Sequence, residues 1–307
     1  MIWSWVKLSL QILFLFVLFL IITFPFDRMG PKIARFVEQG LSRALSMPPP
    51  RCDISNFSLA FPFGVKMGRL TCTSDGEQPL LDAKSLRILP LPFNQRISAE
   101  MGKGTLNFST NFSPFTLKAS KVSMDLKEVE LTVLTPLILN FVKASNPMMM
   151  SILPGLKIEG TLSGEVQAPF PPLHRANGKV DLRFKDLRLP QQPLLELLGL
   201  TEIKFDTSAA KMKLNLGKLE IEEFAFISAS LSAKASGNFQ FAENPDASNG
   251  NVEFKWQVVE SDALRNSIAG SQLLNRECPN PDAQRFCTKR FSRPSDFANF
   301  FGGNSGM

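Results

Sequence analysis

The sequence predicts a mainly β fold: an N-terminal transmembrane helix, then a long antiparallel, twisted β-sheet with a few short helices. Three observations predict it. Residues 6–26 are one apolar run of Leu, Ile, Val and Phe, interrupted only by Lys7, Ser9, Gln11, Thr23 and Pro25. From Cys52 onward the hydrophobic period falls from about 3.6 to about 2, the mark of strands with one face in solvent. These alternating stretches follow one another with little helix between them, the spacing of an antiparallel meander.

At about 1.5 Å per helical residue, 6–26 covers roughly 31 Å, the thickness of a bilayer's hydrocarbon core. A cleavable signal peptide is the rival, but its apolar core is shorter and ends in small residues; here the run ends Thr23-Phe24-Pro25-Phe26. An uncleaved anchor is therefore expected, with Trp3 and Trp5 at the membrane interface. The charge count on orientation conflicts with the cysteines. Arg28, Lys32 and Arg35 after the run outweigh Lys7 and the terminal amine on its short side, which by the positive-inside rule holds the large part in the cytoplasm.

Four segments follow from this: 1–27, a short cytoplasmic start and anchor; 28–50, an amphipathic helix and Pro-rich spacer; 51–287, a β-rich domain; and 288–307, a disordered tail. Between residues 29 and 46, Ile33, Phe36, Val37, Leu41, Ala44 and Leu45 recur at helical spacing opposite Lys32, Arg35, Glu38, Gln39 and Arg43. Such a helix either lies along the membrane surface or packs under the sheet. Met47 and three prolines end it.

The cysteines pair by position, Cys52 with Cys72 and Cys278 with Cys287. The first pair brackets Phe61-Pro62-Phe63-Gly64, a turn sequence between two alternating arms, so a hairpin there brings the two thiols opposite each other. The second closes a short polar loop. Disulfides persist in oxidising compartments, which points to a bacterial periplasm or its equivalent. A metal site would need tighter spacing or histidines, and His174 is the only histidine.

The clearest strand is 157–167, where Ile158, Gly160, Leu162, Gly164 and Val166 share one face and polar residues the other. Alternation recurs at Val180, Leu182 and Phe184, at Met212, Leu214 and Leu216, and at Val252, Phe254, Trp256 and Val258. Shorter candidates lie around Leu106, Phe115, Val122, Leu219 and Leu231. Helices are expected over 137–152, broken at Pro147, over 193–200, and over 262–275. Glycines 160 and 164 have two readings: a bend where another element approaches closely, or room on an apolar surface for an acyl chain or a partner strand. The 27 phenylalanines, with no tyrosine, either fill a core or line a groove.

No catalytic motif, phosphate-binding glycine loop or cofactor site is found, so the expectation is a non-enzymatic protein without cofactor. His174 sits in a Pro-rich loop without an identifiable partner. Glu220, Glu222 and Glu223 read as a polar strand face. The formal charge of +6 comes without a nucleic-acid-reading motif, so no nucleic acid is expected as a partner.

The anchor, the hairpin around 57–70, the phrase Leu156-Lys157-Ile158-Glu159-Gly160-Thr161-Leu162-Ser163-Gly164 and Gly178-Lys179-Val180-Asp181-Leu182 resemble the type II secretion system protein GspN family. The Gly-spaced strand phrases, and 210–241 above all, also resemble AsmA-like envelope proteins with a β-groove. What the resemblance implies is a single-pass accessory subunit of the bacterial inner membrane, its domain in the periplasm, meeting other secretion-system subunits through exposed strand edges. The AsmA-like alternative implies a groove that binds or transfers phospholipid. A wide, uncovered apolar face would favour the groove; a sheet closed on itself or capped by helices would favour assembly.

Overall fold

The computed structural model of the chain describes residues 30–45, 48–60, 64–73, 79–90, 94–112, 119–145, 155–168, 172–197, 200–244, 247–258, 281, 286–293 and 296. The expected anchor over 6–26 and the helix over 262–275 lie outside these residues, as does the tail beyond 296. Among the described residues no helix is long and apolar enough to cross a membrane.

Helix α1 (Gly30–Leu45) forms where the apolar residues recur at helical spacing, with Pro31 in the first turn, where its missing N–H costs nothing. Ala34 is buried, and Ile33, Val37 and Leu41 pack with it onto the core. The helix thus lies against the sheet, tied to its first strand by the Cys52 N–H, which donates to Glu38 Oε1 at 2.8 Å.

All described strands join one antiparallel sheet: β1 (Arg51–Ser55), β2 (Ser58–Ala60), β3 (Gly64–Thr73), β4 (Pro79–Pro90), β5 (Asn94–Met101), β6 (Gly104–Phe112), β7 (Ala119–Glu130), β8 (Glu159–Ala168), β9 (Gly178–Leu189), β10 (Ile203–Asn215), β11 (Lys218–Ser228), β12 (Leu231–Gln240), β13 (Asn249–Val258) and β14 (Cys287–Phe291). From β3 on, each strand pairs with the next in sequence, while β1 and β2 share the free side of β3. The meander is as expected. The hairpin places Cys52 opposite Cys72, and the two are disulfide-bonded. Cys287 is disulfide-bonded as well; Cys278 lies outside the described residues.

Three expectations shift. Helix α2 (Leu131–Ser145) begins directly after β7 rather than at 137, because Leu131 and Thr135 are buried on the core side and the Thr135 hydroxyl donates to the Leu131 carbonyl at 2.8 Å. Pro136 sits inside it, early enough to interrupt little of the hydrogen-bond ladder. The third helix, α3 (Pro193–Leu197), is shorter than 193–200. Finally, β14 runs through Phe291, into the stretch assigned to the tail, because Phe291 pairs with Val252 and buries its ring there.

Register sorts the two faces. One row crosses every strand from β3 to β14: Val65, Ile88, Ile97, Phe108, Met124, Val166, Val180, Met212, Ile221, Gly237, Val252 and Phe291. It is apolar apart from Gly237. One residue along, on the opposite face, Lys66, Arg87, Ser98, Asn107, Asp125, Glu165, Asp181, Lys211 and Glu223 form an equally continuous polar row. The core proper, including Met67, Leu70, Cys72, Val129 and Leu162, lies on the apolar face beneath α1 and α2, with α2 packed on β4, β7 and β8.

Candidate functional site: a half-open apolar face

The apolar row is not sealed. Its members from Val65 to Gly237 are all half-buried, and only Val252 and Phe291 at the far end are buried. At about 4.8 Å per strand, the row from β3 to β14 measures roughly 53 Å. Past β8 the described helical cover is α3, whose Leu195 packs with Leu200, Ile203, Leu189 and Phe205 at one end of β9 and β10.

Phenylalanines gather on this second half. Phe184 of β9 and Phe226 of β11 approach to 5.3 Å between ring centroids, although their strands stand about 9.6 Å apart on either side of β10. The rings lean together over Ser208 and Ala210, the small residues that β10 presents on this face. Phe224 touches Phe226 at 5.1 Å and reaches Phe254, across the alanines of β12, at 6.4 Å. Small residues on alternate strands therefore let large rings of the flanking strands meet in an aromatic strip. The Ser208 hydroxyl lies buried under it with no hydrogen-bond partner among the described residues.

The five positions singled out in sequence fall on this face with different roles. Leu162 is buried in the core, Ile158 packs against that core, and Val166 lies in the half-open row between Met124 and Val180. Glycines 160 and 164 serve backbone geometry. Gly164 has φ +143°, and a methyl group there would run into the Asp181 carbonyl of β9. Gly160 has φ +123° and lies opposite the β9 irregularity at Asp186, whose carbonyl oxygen would be 2.9 Å from a Cβ. The close-approach reading holds for both. Neither leaves an open space.

Gly160 also lines a charged hollow of about 780 Å³ at the strand ends, with Lys103, Glu130, Arg188 and Lys204. Several of its charges pair with one another: Arg188 with Glu159 at 2.6 Å and Glu202 at 3.8 Å, Lys204 with Glu202 at 3.7 Å, and Lys103 with Glu130 at 3.6 Å; Asp186 and Asp206 line it as well. The polar face is likewise a ladder of ion pairs. Arg69 grips Asp82 through two bonds of 2.8 and 2.7 Å, holding its carboxyl below the usual range. Glu222, between Lys213 and Lys211, and Glu253, between Lys255 and Arg290, are lowered by the same cause. Such pairs neutralise much of a solvated face.

His174 is not in an open loop. It sits in a one-turn 3-10 helix (Leu173–Arg175), and its Nε2 is buried without a partner among the described residues. Among the described residues no three His, Cys, Asp or Glu side chains are placed to hold a metal. The aromatic strip was missed in sequence, where Phe184, Phe205, Phe224, Phe226 and Phe254 are scattered; the register that gathers them was the signal. Compared with protein-family models, curated proteins and solved structures, the chain matches none.

Proposed function

We propose that this protein is a non-enzymatic lipid-binding or lipid-transfer component of the bacterial envelope, whose apolar sheet face holds phospholipid acyl chains. The observation that carries the reading is the row from Val65 to Gly237, unbroken across the sheet and half-open along its length. A sheet whose only task was to fold would be expected to seal that row, since burying each large side chain gains about 1.5–3 kcal/mol. Helices α1 and α2 cap one part of the face, and the half-open remainder of the row supports the groove over assembly, the distinction drawn above from sequence. The Cys52–Cys72 disulfide supports a periplasmic domain, with the apolar run at 6–26 as its inner-membrane anchor.

A second reading, the contact-making secretion subunit, rests on a separate observation. Among the described residues the sheet is open, and β14 and the β1–β2 side are edges able to accept a strand from other secretion-system subunits.

Native mass spectrometry with lipid extraction decides between them. The full chain, purified in detergent from an oxidising compartment, is expected to carry phospholipid in at least equimolar amount. Phe224→Glu in the aromatic strip should cut that by half or more, while Ser123→Glu on the polar face should not. Equal lipid in all three proteins would mean that only the anchor's surrounding lipid is seen, and would reject the groove in favour of the edge-docking subunit.

A further inference from the structure

Three large hydrophobic residues are exposed among the described residues, and two of them adjoin. Leu216, 71% exposed, occupies the two-residue turn between β10 and β11; Leu173, 43% exposed, opens the 3-10 helix beside it. The two segments are bonded together: the Gly217 N–H donates to the Ala176 carbonyl at 3.2 Å, and the Leu216 N–H to Asn177 Oδ1 at 2.9 Å. The Phe241 N–H donates to the Gly217 carbonyl at 2.8 Å, adding a half-buried ring to the same rim.

The turn itself is anomalous. Leu216 has φ +47° and Gly217 φ +79°, a pairing of positive angles that ordinarily takes Asn-Gly or Asp-Gly. A leucine there is strained, and the strain places an apolar side chain in water. The hydrogen bonds to Asn177, Ala176 and Phe241 hold the backbone of the turn, but the leucine side chain stays 71% exposed. The hairpin turn between β5 and β6, Gly102-Lys103, needs a positive angle only at its glycine and places a lysine in solvent, its side chain 91% exposed. Arg175 and Lys218 are exposed beside the leucines, and segments 172–177, 215–218 and 239–241 contain no carboxylate; Glu220 and Glu243, each two residues beyond, are the nearest in sequence.

We infer that this rim is a bilayer-contact point, Leu216 and Leu173 entering the interface of a membrane while Arg175 and Lys218 meet the phosphates of anionic phospholipid. Apolar tips flanked by cations bind such surfaces through burial and electrostatic attraction together. The inference rests on the lipid-handling reading, since a face that takes acyl chains has to meet a bilayer to load or unload them.

The test uses the full chain reconstituted in phosphatidylglycerol/phosphatidylcholine vesicles containing brominated phosphatidylcholine. Leu216→Trp should be quenched at least twice as strongly as Lys103→Trp, each measured as excess over the unsubstituted chain, whose own tryptophans give the background. The excess should fall by half or more in vesicles of phosphatidylcholine alone, or when Arg175→Glu and Lys218→Glu are added. Leu216→Asn, which suits the turn, should raise Tm by roughly 1–3 °C, showing that the leucine is kept for something other than folding. Equal quenching at 216 and 103 overturns the proposal, as does quenching indifferent to lipid charge. Extracted lipid is counted on the same variants: unchanged lipid with no contact at 216 removes the contact point alone, whereas contact with no carried lipid removes the groove reading alone.

Discussion

A methyl group at position 164 meets the backbone of β9, and the residue's φ of +143° excludes L side chains regardless of space. Gly164→Ala should therefore cost about 3 kcal/mol or more, read as a lower urea midpoint with unchanged slope. Gly40, in the interior of α1 with nothing within 4 Å of a built Cβ, has the opposite sign. Gly40→Ala should gain roughly 0.5–1 kcal/mol from helix propensity. Charge is also testable at single residues. Asp82 has a folded pKa below its ordinary value, chiefly through its hydrogen bond to Arg69. Its stabilising effect is complete above about pH 4 and is lost as pH falls through the folded value. Asp82→Asn should lower Tm slightly near pH 7 and flatten the acid limb of the Tm–pH curve by the same small amount, because what a half-exposed surface pair loses in acid is what it contributes above about pH 4. An acid limb of unchanged steepness would assign the loss to Glu222, Glu253 and the other paired carboxylates.

The elements show what the chain's pattern could and could not reveal. Strands β8 and β13 were legible because their alternation runs unbroken over whole strands. Strands β4 and β5 were not. In β4 the inward set Leu81 and Ala83 changes parity to Leu86 and Ile88 around Ser85, which has φ +50°, so no single period of two covers the strand. In β5 the inward residues are Ile97, the small Ala99 and Met101, and only the pairing with β6 identifies them. Helix α2 begins six residues before the expected start at Leu137, with Pro136 as its sixth residue, where its missing N–H costs one bond of the ladder. The disulfide is the element whose contribution can be isolated. Cys52 and Cys72 are 20 residues apart in sequence, and closing a loop of that size stabilises by about 3 kcal/mol on chain entropy alone. Cys52→Ser with Cys72→Ser should lose about that much. Hydrogen exchange should quicken first in β1 and α1, which the bond and the Glu38 contact hold against β3. Uniform quickening across the sheet would mean that these elements do not open separately.

At the scale of the whole molecule the polar and apolar rows are two sides of one register, but only the polar side is finished. Many of its charges are paired across neighbouring strands, and the rest stand in solvent. The apolar side is closed beneath α1 and α2 and half-open along the row beyond them. The open row, from β3 to β12, is roughly 43 Å long on strand spacing, against about 15 Å for one leaflet of a 30 Å hydrocarbon core, so it has room for acyl chains from more than one phospholipid laid across the strands. Native spectra should then show a ladder of bound lipids rather than a single adduct. Val180→Lys, in the middle of the row on β9, should divide the track and lower mean occupancy by about half. The lysine stem can lie along the surface with its ammonium group at the edge, so the urea midpoint should shift much less than the occupancy. Occupancy fixed at one lipid, and indifferent to a charge at position 180, would confine binding to the aromatic strip of Phe184, Phe226, Phe224 and Phe254. The row would then be a surface on which the strip is the site, rather than a continuous path.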